Sequence, residues 1–218
     1  AAARHVGIRG QVTVEVLEAV LARRIPRYDK SGDEHFNMLS AYHKALRGSN
    51  PDGALYWAAR MIEGGEDPRI LFRRAVAMAA EDIGLADPNA LLMAVAARTA
   101  YETLGAPEGF LPLAEMTIYL ATAPKSNSVV AALGAAFAAA RQTPAEPVPV
   151  HLRNAPTALM KDLGYGAEYR YAHDGPGHYL PQDYLPPSLK GQEFYRPGGL
   201  GFETKVAERL KWWKERGK

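Results

Sequence analysis

Asn50-Pro51-Asp52-Gly53, Asp67-Pro68-Arg69-Ile70 and Asp87-Pro88-Asn89-Ala90 repeat one signal at the heads of three largely apolar stretches. An Asn or Asp side chain accepts from the first free N–H groups of a helix. The Pro that follows suits a first-turn position, where its missing N–H costs nothing. Matching stops follow at Gly64-Gly65, Gly84 and Gly105. The punctuation predicts helices near 51–63, 68–83 and 88–104.

Working outward, His35 to Arg47 places Phe36, Leu39, Tyr42 and Leu46 at helical spacing, with Gly48 behind as a stop. Further upstream, Val12 to Arg24 carries a stripe of Val16, Leu17, Val20 and Leu21. Downstream, Pro107 opens a candidate helix that must end before Pro124, and Ser126 or Ser128 opens another ending by Thr143. No stretch alternates like a strand over a useful length. The expected fold class is all-α, a helical bundle followed by an irregular arm rich in Pro, Gly and Tyr. Pro144, Pro147 and Pro149 form a stiff linker into that arm. A short helix at Thr157 to Leu163 precedes residues 164–201, which hold six of the eleven Tyr. A last amphipathic helix, about Glu203 to Glu215, sets Val206, Leu210 and Trp213 on one face.

The charge pattern is the second organising feature. The whole chain of 218 residues carries 26 Lys+Arg against 24 Asp+Glu, so it is close to neutral. Yet between Gly109 and Ala140 only Glu115 and Lys125 are charged. A helix exposed on one face normally shows a polar stripe. These helices lack one and are expected to be covered on more than one side, by this chain or by another copy. Stretch 88–140 is the expected contact surface, with Met93, Tyr101, Tyr119 and Phe137 as candidate anchors; plain core packing is the competing reading for each. With no Cys, the sequence excludes disulfides, thiolate zinc sites and a thiol nucleophile. That composition fits a cytoplasmic location. No run reaches the ~18–20 apolar residues of a membrane-spanning helix, and no basic-then-apolar leader is read. Because it opens on Ala1-Ala2-Ala3 rather than Met, the chain is expected to be a piece of something longer.

Catalytic motifs are mostly missing. A phosphate-cradling loop needs Gly-x4-Gly-Lys-Ser/Thr, and the only Gly-Lys is Gly217-Lys218. Gly198-Gly199-Leu200-Gly201 lacks a preceding strand and reads as a turn before the last helix. Glu81-Asp82 reads as acidic residues near a helix end rather than a Mg²⁺ pair. His35 and His43, eight positions apart on one helix, lie ~12 Å apart along its axis and cannot share an ion. His173, Asp174 and His178 gather in a Gly-Pro-Gly loop and are the residues a hydrolase or metal reading would need. The acidic pairs Glu15/Glu18 and Glu63/Glu66 read as solvated helix positions. Neither a His-Glu-x-x-His nor a Gly-x-Ser-x-Gly motif is present. The expectation is that this chain is not itself an enzyme. Basic residues are the stronger lead: Arg69, Arg73 and Arg74 cluster on one helix, and Lys125, His151, Arg153 and Lys161 flank the linker. They are candidate phosphate contacts for DNA, although no recognised nucleic-acid module accompanies them.

Five ordered segments carry a resemblance. They are Tyr28-Asp29-Lys30-Ser31-Gly32-Asp33-Glu34-His35; Leu46-Arg47-Gly48-Ser49-Asn50-Pro51-Asp52-Gly53-Ala54-Leu55-Tyr56-Trp57; Ala80-Glu81-Asp82-Ile83-Gly84-Leu85-Ala86-Asp87-Pro88; Tyr119-Leu120-Ala121-Thr122-Ala123-Pro124-Lys125-Ser126-Asn127; and Val150-His151-Leu152-Arg153-Asn154-Ala155-Pro156-Thr157, continuing to Tyr169-Arg170-Tyr171-Ala172-His173-Asp174. Together they resemble the C-terminal half of the replication-associated recombination protein A family, also called MgsA. Its eukaryotic relative is the Werner-helicase-interacting ATPase. The likeness covers the chain from about residue 11 onward.

The resemblance implies a clamp-loader-like AAA+ ATPase acting in DNA replication, recombination and repair at stalled forks. It implies that residues 1–27 end the AAA+ lid, that 28–143 form a helical oligomerisation domain giving homotetramers, and that 144–218 form the arm and last helix. The family's nucleotide machinery lies in its N-terminal half. ATP and Mg²⁺ therefore belong to the parent protein, and no cofactor is expected here. The implied partners are further copies of itself, DNA through the parent, and replication-fork proteins such as single-strand-binding protein; no membrane partner is implied. The alternative is a DNA- or protein-docking module that uses the basic residues and the Tyr-rich arm.

Overall fold

The computed structural model describes residues 13–14 and 33–216. The expected helix at Val12 to Arg24 and the implied lid segment 1–27 lie outside the described residues apart from Thr13 and Val14. The described residues are all-α, with eight α-helices and no strand. They run α1 (Asp33–Arg47), α2 (Pro51–Glu63), α3 (Arg69–Met78), α4 (Asn89–Leu104), α5 (Phe110–Thr122), α6 (Ser128–Gln142), α7 (Ala158–Asp162) and α8 (Phe202–Arg216). The chain divides into two compact units, the first ending at Lys125 and the second beginning at Ser126.

The three start signals do what their chemistry requires. Asn50 Oδ1 accepts from the Gly53 N–H at 2.8 Å, Asp67 Oδ1 from the Arg69 N–H at 3.0 Å, and Asp87 Oδ1 from the Asn89 N–H at 3.1 Å. Pro112 is tolerated because it falls in the first turn of α5. One departure matters. The helix expected over 68–83 is α-helical only to Met78, and Ala79–Ile83 winds into a π-helical turn. That turn stops at Gly84, whose φ of 52° and ψ of −130° suit a residue without a Cβ.

In the first unit α5 is central and packs against α1, α2, α3 and α4. The core is built from Tyr42 and Leu46 on α1, Met61 on α2, Leu71, Phe72 and Met78 on α3, and Met116 and Leu120 on α5, all fully buried. Buried polar groups are few in this core. The Tyr42 hydroxyl lies 3.1 Å from Thr117 Oγ1, and burial pushes the phenol up to about 12.

Packing on α4 reverses the usual order of sizes. Ala90, Ala94 and Ala97 face the core, while Leu91, Leu92 and Val95 are exposed. Small residues let helix axes approach closely, so the inner stripe is alanine and the outer one branched.

In the second unit α6 stands out, with Ser128 its one buried residue. The stretch beyond it runs through short 3₁₀ turns at Val150–Leu152, Ala172–Asp174, Pro176–His178 and Pro187–Leu189. This irregular arm packs on α8. Tyr179 stacks on Trp213 with ring centroids 6.0 Å apart, and Tyr195 donates to Glu203 at 2.9 Å. No helix among the described residues is long and apolar enough to cross a membrane.

Candidate functional site

The π-turn carries the first polar cluster. It presents Glu81 and Asp82 to the last turn of α1, where His43 and Arg47 sit one helical turn apart. Arg47 Nε donates to Asp82 Oδ1 at 2.6 Å, and an Arg47 amino group lies 3.5 Å from Glu81. The same amino group donates to His43 Nε2 at 2.7 Å, and Asp82 Oδ2 lies 3.1 Å from that nitrogen. His43 is 2% exposed. Burial first, then the nearby Arg74 charge, hold its imidazole below the ordinary value against the pull of Asp82. Among the described residues His43, Glu81 and Asp82 form the one group whose ligand atoms approach closely enough for a metal ion. Arg47 stands among them as a cation, and the cluster is a salt-bridged joint between α1 and the π-turn in which His43 Nδ1 and Asp82 Oδ2 have no hydrogen-bond partner. Glu81 and Asp82 thus sit near a helix end as counter-ions. Nothing in the sequence pairs them with Arg47, which lies 35 positions before Asp82.

A second buried polar group ties the arm to α6. Glu203, in the first turn of α8, is fully buried. It accepts from the Ser128 hydroxyl and, at 2.9 Å, from the Tyr195 hydroxyl. Burial pushes the Glu203 carboxyl up. The donors at Ser126, Ser128, Tyr195 and the Gly198 N–H outweigh it and hold the group below its ordinary value. Tyr195 is pushed up to about 12, by burial and by the Glu203 carboxylate. Gly198 is required here, because a Cβ would lie 2.5 Å from Glu203 Oε2 and 3.0 Å from Ser126 Oγ. In the sequence Glu203 marks only the start of a helix; a lone charged residue in a first turn gives no sign of burial.

The histidines of the arm come together in part. His173 and His178 bring their Nδ1 atoms to 3.2 Å, beside the Tyr171 ring. No third metal-ligating side chain joins them among the described residues. His35 Nδ1 lies 2.6 Å from Glu66, which is therefore engaged. Glu15 and Glu18 lie outside the described residues.

The four candidate anchors have different surroundings. Met93, Tyr101 and Tyr119 are half-buried and pack against the first unit's core. Tyr101 lies between Phe72 and Phe110, at centroid distances of 5.2 and 6.3 Å. The Tyr119 hydroxyl donates to Asp87 at 2.6 Å. Phe137 on α6 is 57% exposed. Further exposed apolar side chains are Leu91, Leu92, Val95 and Leu104 on α4, Leu111 and Ile118 on α5, and Val130 and Leu133 on α6. The signal for them was the charge-poor stretch itself, not any single residue.

The six basic candidates are also placed differently. Arg69 pairs with its neighbour Asp67 at 3.2 Å. Lys125 Nζ donates to the carbonyls of Leu120, Ala121 and Ala123 at 3.0, 3.0 and 2.6 Å, closing the C-terminal end of α5. Burial lowers its ammonium's pKa. Arg153 Nε donates to the Val148 carbonyl at 2.6 Å, and its guanidinium lies 4.9 Å from the Tyr165 ring centroid. Lys161 is exposed on α7. Arg73 and Arg74 on α3 make no ion pair among the described residues; Arg74 Nε is buried and has no acceptor.

Comparison with known proteins gives this geometry a context. Residues 48–214 match the family described as MgsA AAA+ ATPase C terminal, and residues 2–47 match the AAA C-terminal domain. Replication-associated recombination protein A of Escherichia coli (strain K12) is 48% identical over 199 residues, 91% of this chain and 44% of that protein. The protein of that name from Haemophilus influenzae is 48% identical over 204 residues, 93% of this chain and 46% of its own length. ATPase WRNIP1 of Dictyostelium discoideum is 42% identical over 185 residues, 84% of this chain and 21% of its own length. The chain spans less than half the length of these relatives. What it matches in them is C-terminal to the AAA+ core, and the chain belongs to the MgsA family of AAA+ ATPases, whose C-terminal region it carries.

Proposed function

We propose that this chain is the tetramerisation module of a clamp-loader-like AAA+ ATPase that works in DNA replication, recombination and repair at stalled forks. It joins copies of the parent rather than performing chemistry. ATP and Mg²⁺ are handled by the parent's N-terminal half, in the cytoplasm. Within this reading residues 28–143 form the helical oligomerisation domain that meets other copies, and 144–218 form the irregular arm and last helix.

The observation that carries the reading is α6. Its 15 residues include one charged side chain, Arg141, and one buried residue, Ser128. Val130, Leu133 and Phe137, at i, i+3 and i+7, form an exposed apolar stripe. Burying such side chains contributes roughly 1.5–3 kcal/mol each. A stripe of this kind repeated on every copy suits closed symmetry, in which the same patch serves each subunit. In the first unit, taken by itself, the outer face of α4 exposes Leu91, Leu92 and Val95. Obligate interfaces are more apolar than ordinary surface. The relatives named for replication-associated recombination support the wider setting.

The test is the mass of the chain in solution by light scattering. A tetramer has four times the 23.7 kDa of one copy. A monomer at micromolar concentration overturns the proposal.

A further inference from the structure

In the second unit the arm brings two histidines to one point. His173 lies in the turn Ala172–Asp174 and His178 in the turn Pro176–His178. Their ring centroids are 4.9 Å apart and their Nδ1 atoms 3.2 Å apart. We propose that these two nitrogens bind a divalent transition ion of the class that prefers imidazole, Zn²⁺ or Cu²⁺, with water in its remaining positions. The proposal stands apart from the oligomerisation reading, because both ligands lie on one copy of the chain.

The separation of the two nitrogens is the first support. A Zn–N bond is about 2.0–2.1 Å long, so two nitrogens on one ion lie roughly 2.9 Å apart at a right angle and roughly 3.3 Å apart at the tetrahedral angle. The observed 3.2 Å falls inside that range. As a hydrogen bond, the contact has one ring donating its Nδ1 hydrogen to the lone pair of the other. The ion takes the place of that shared hydrogen. The donating ring then carries its hydrogen on Nε2, so each neutral imidazole keeps one hydrogen and turns a lone pair to the metal.

The fold around the pair is the second support. His178 has a φ of 57°, in the left-handed region that residues with a Cβ seldom occupy. Packing on α8 holds the loop there. Gly177 lies so close to Trp212 that an added Cβ would meet the ring at 2.7 Å, and Tyr179 stacks on Trp213. On the other side the Tyr171 ring lies against His173, with centroids 5.0 Å apart. A pair held in this way has little freedom left to lose when an ion binds.

The third support is charge. The histidines that make ion pairs among the described residues are His35 and His43, so no carboxylate competes for His173 or His178. The group of His43, Glu81 and Asp82 gathers three ligand atoms but has the Arg47 cation among them. The arm pair offers two ligands and no such cation. Both of its histidines are exposed, so water reaches the other positions of the ion. Two protein ligands place the affinity in the micromolar range, short of a closed four-ligand site. Mg²⁺ keeps to oxygen ligands and is not expected to bind.

The experiment titrates the full chain with Zn²⁺ by calorimetry, and with Cu²⁺ by quenching of tryptophan fluorescence, in a buffer that does not hold metals. Trp212 touches the loop at Gly177, so Cu²⁺ on the pair quenches it. Cu²⁺ is expected to bind more tightly than Zn²⁺. Variants are His173→Gln, His178→Asn and His151→Gln. Asn tolerates the left-handed backbone at position 178, so His178→Asn removes the imidazole without forcing the loop. Losing an outer-shell partner already costs a metal site about 10–100-fold, so His173→Gln and His178→Asn each weaken Zn²⁺ binding by about tenfold or more. His151→Gln leaves it unchanged. If one ligand variant loses helicity by circular dichroism, the other carries the test. The proposal is overturned if the wild-type chain takes up no Zn²⁺, or if Mg²⁺ binds as well as Zn²⁺. It is equally overturned if a folded ligand variant binds Zn²⁺ like wild type, which would place the ion elsewhere on the chain.

Discussion

Replacing Glu203 separates a structural lock from a passive helix start. The carboxylate is fully buried and accepts from the Ser128 and Tyr195 hydroxyls. Hydrogen bonds to a charged group contribute about 1.5–3 kcal/mol each, so Glu203→Ala removes about 3–6 kcal/mol from the attachment of the arm and α8 to α6. Glu203→Gln keeps the shape and an acceptor but not the charge, and loses roughly half of that. Because the loss is local, the readout is native-state hydrogen exchange of the α8 amides. About 3 kcal/mol corresponds to exchange faster by a factor on the order of 150. Tyr195 provides a second readout. Its pKa, about 12 in the intact protein, falls in Glu203→Gln because the neighbouring negative charge is gone, and difference absorbance on alkaline titration detects it. Gly198→Ala reaches the same end by crowding Glu203 Oε2. The sign with pH follows from the lowered carboxyl. Its contribution is fully present above the ordinary value of 4.5 and is lost as pH falls through the folded-state value, so the protection of the α8 amides, taken relative to their intrinsic exchange rate, falls on acidification. Unchanged α8 exchange in Glu203→Ala, with helicity intact, would refute the reasoning.

Other outcomes follow from the same geometry. Leu133→Asp with Phe137→Asp lowers the solution mass while helicity by circular dichroism stays within error, since both side chains are exposed in the single chain. Tyr42→Phe leaves the Thr117 hydroxyl buried without a partner and costs about 1–3 kcal/mol in urea unfolding; adding Thr117→Val recovers part of that loss. His43 has a pKa below 6.5 in the folded chain, so the unfolded chain takes up its proton first. Stability measured by denaturant midpoint therefore falls as pH drops below about 6.5 and levels off under the folded-state value. His43→Gln flattens that limb.

The helices were legible because their signals are local. A cap reaches two or three residues and a helical stripe repeats within four, so Asn50, Asp67 and Asp87 marked their starts without any knowledge of the rest. The low charge between Gly109 and Ala140 is likewise read from composition alone, and it marks a stretch that holds α5 and most of α6. The particular anchors were harder to place. Tyr119 reads equally as an anchor or as core, and nothing local shows that its hydroxyl meets Asp87, 32 positions earlier. Lys125 is a candidate phosphate contact by its charge, and nothing in the sequence shows that its ammonium reaches the carbonyls at the end of α5. The π-turn was not legible, since Ala79–Ile83 contains nothing that resists an α-helix.

By itself the sequence determined an all-α chain, where its helices begin, and a kinship with the MgsA family, because caps, periodicity and motifs are read over short spans. Only the tertiary structure decided that alanines of α4 turn inward while Leu91, Leu92 and Val95 turn out. It also decided that Tyr42 meets Thr117 and that Ser128 meets Glu203, each pair 75 positions apart. The physical reason is common to both: which face is covered, and which charge finds a partner, depends on how closely separate helices approach. That distance is set by the packing of the whole core and by no single segment.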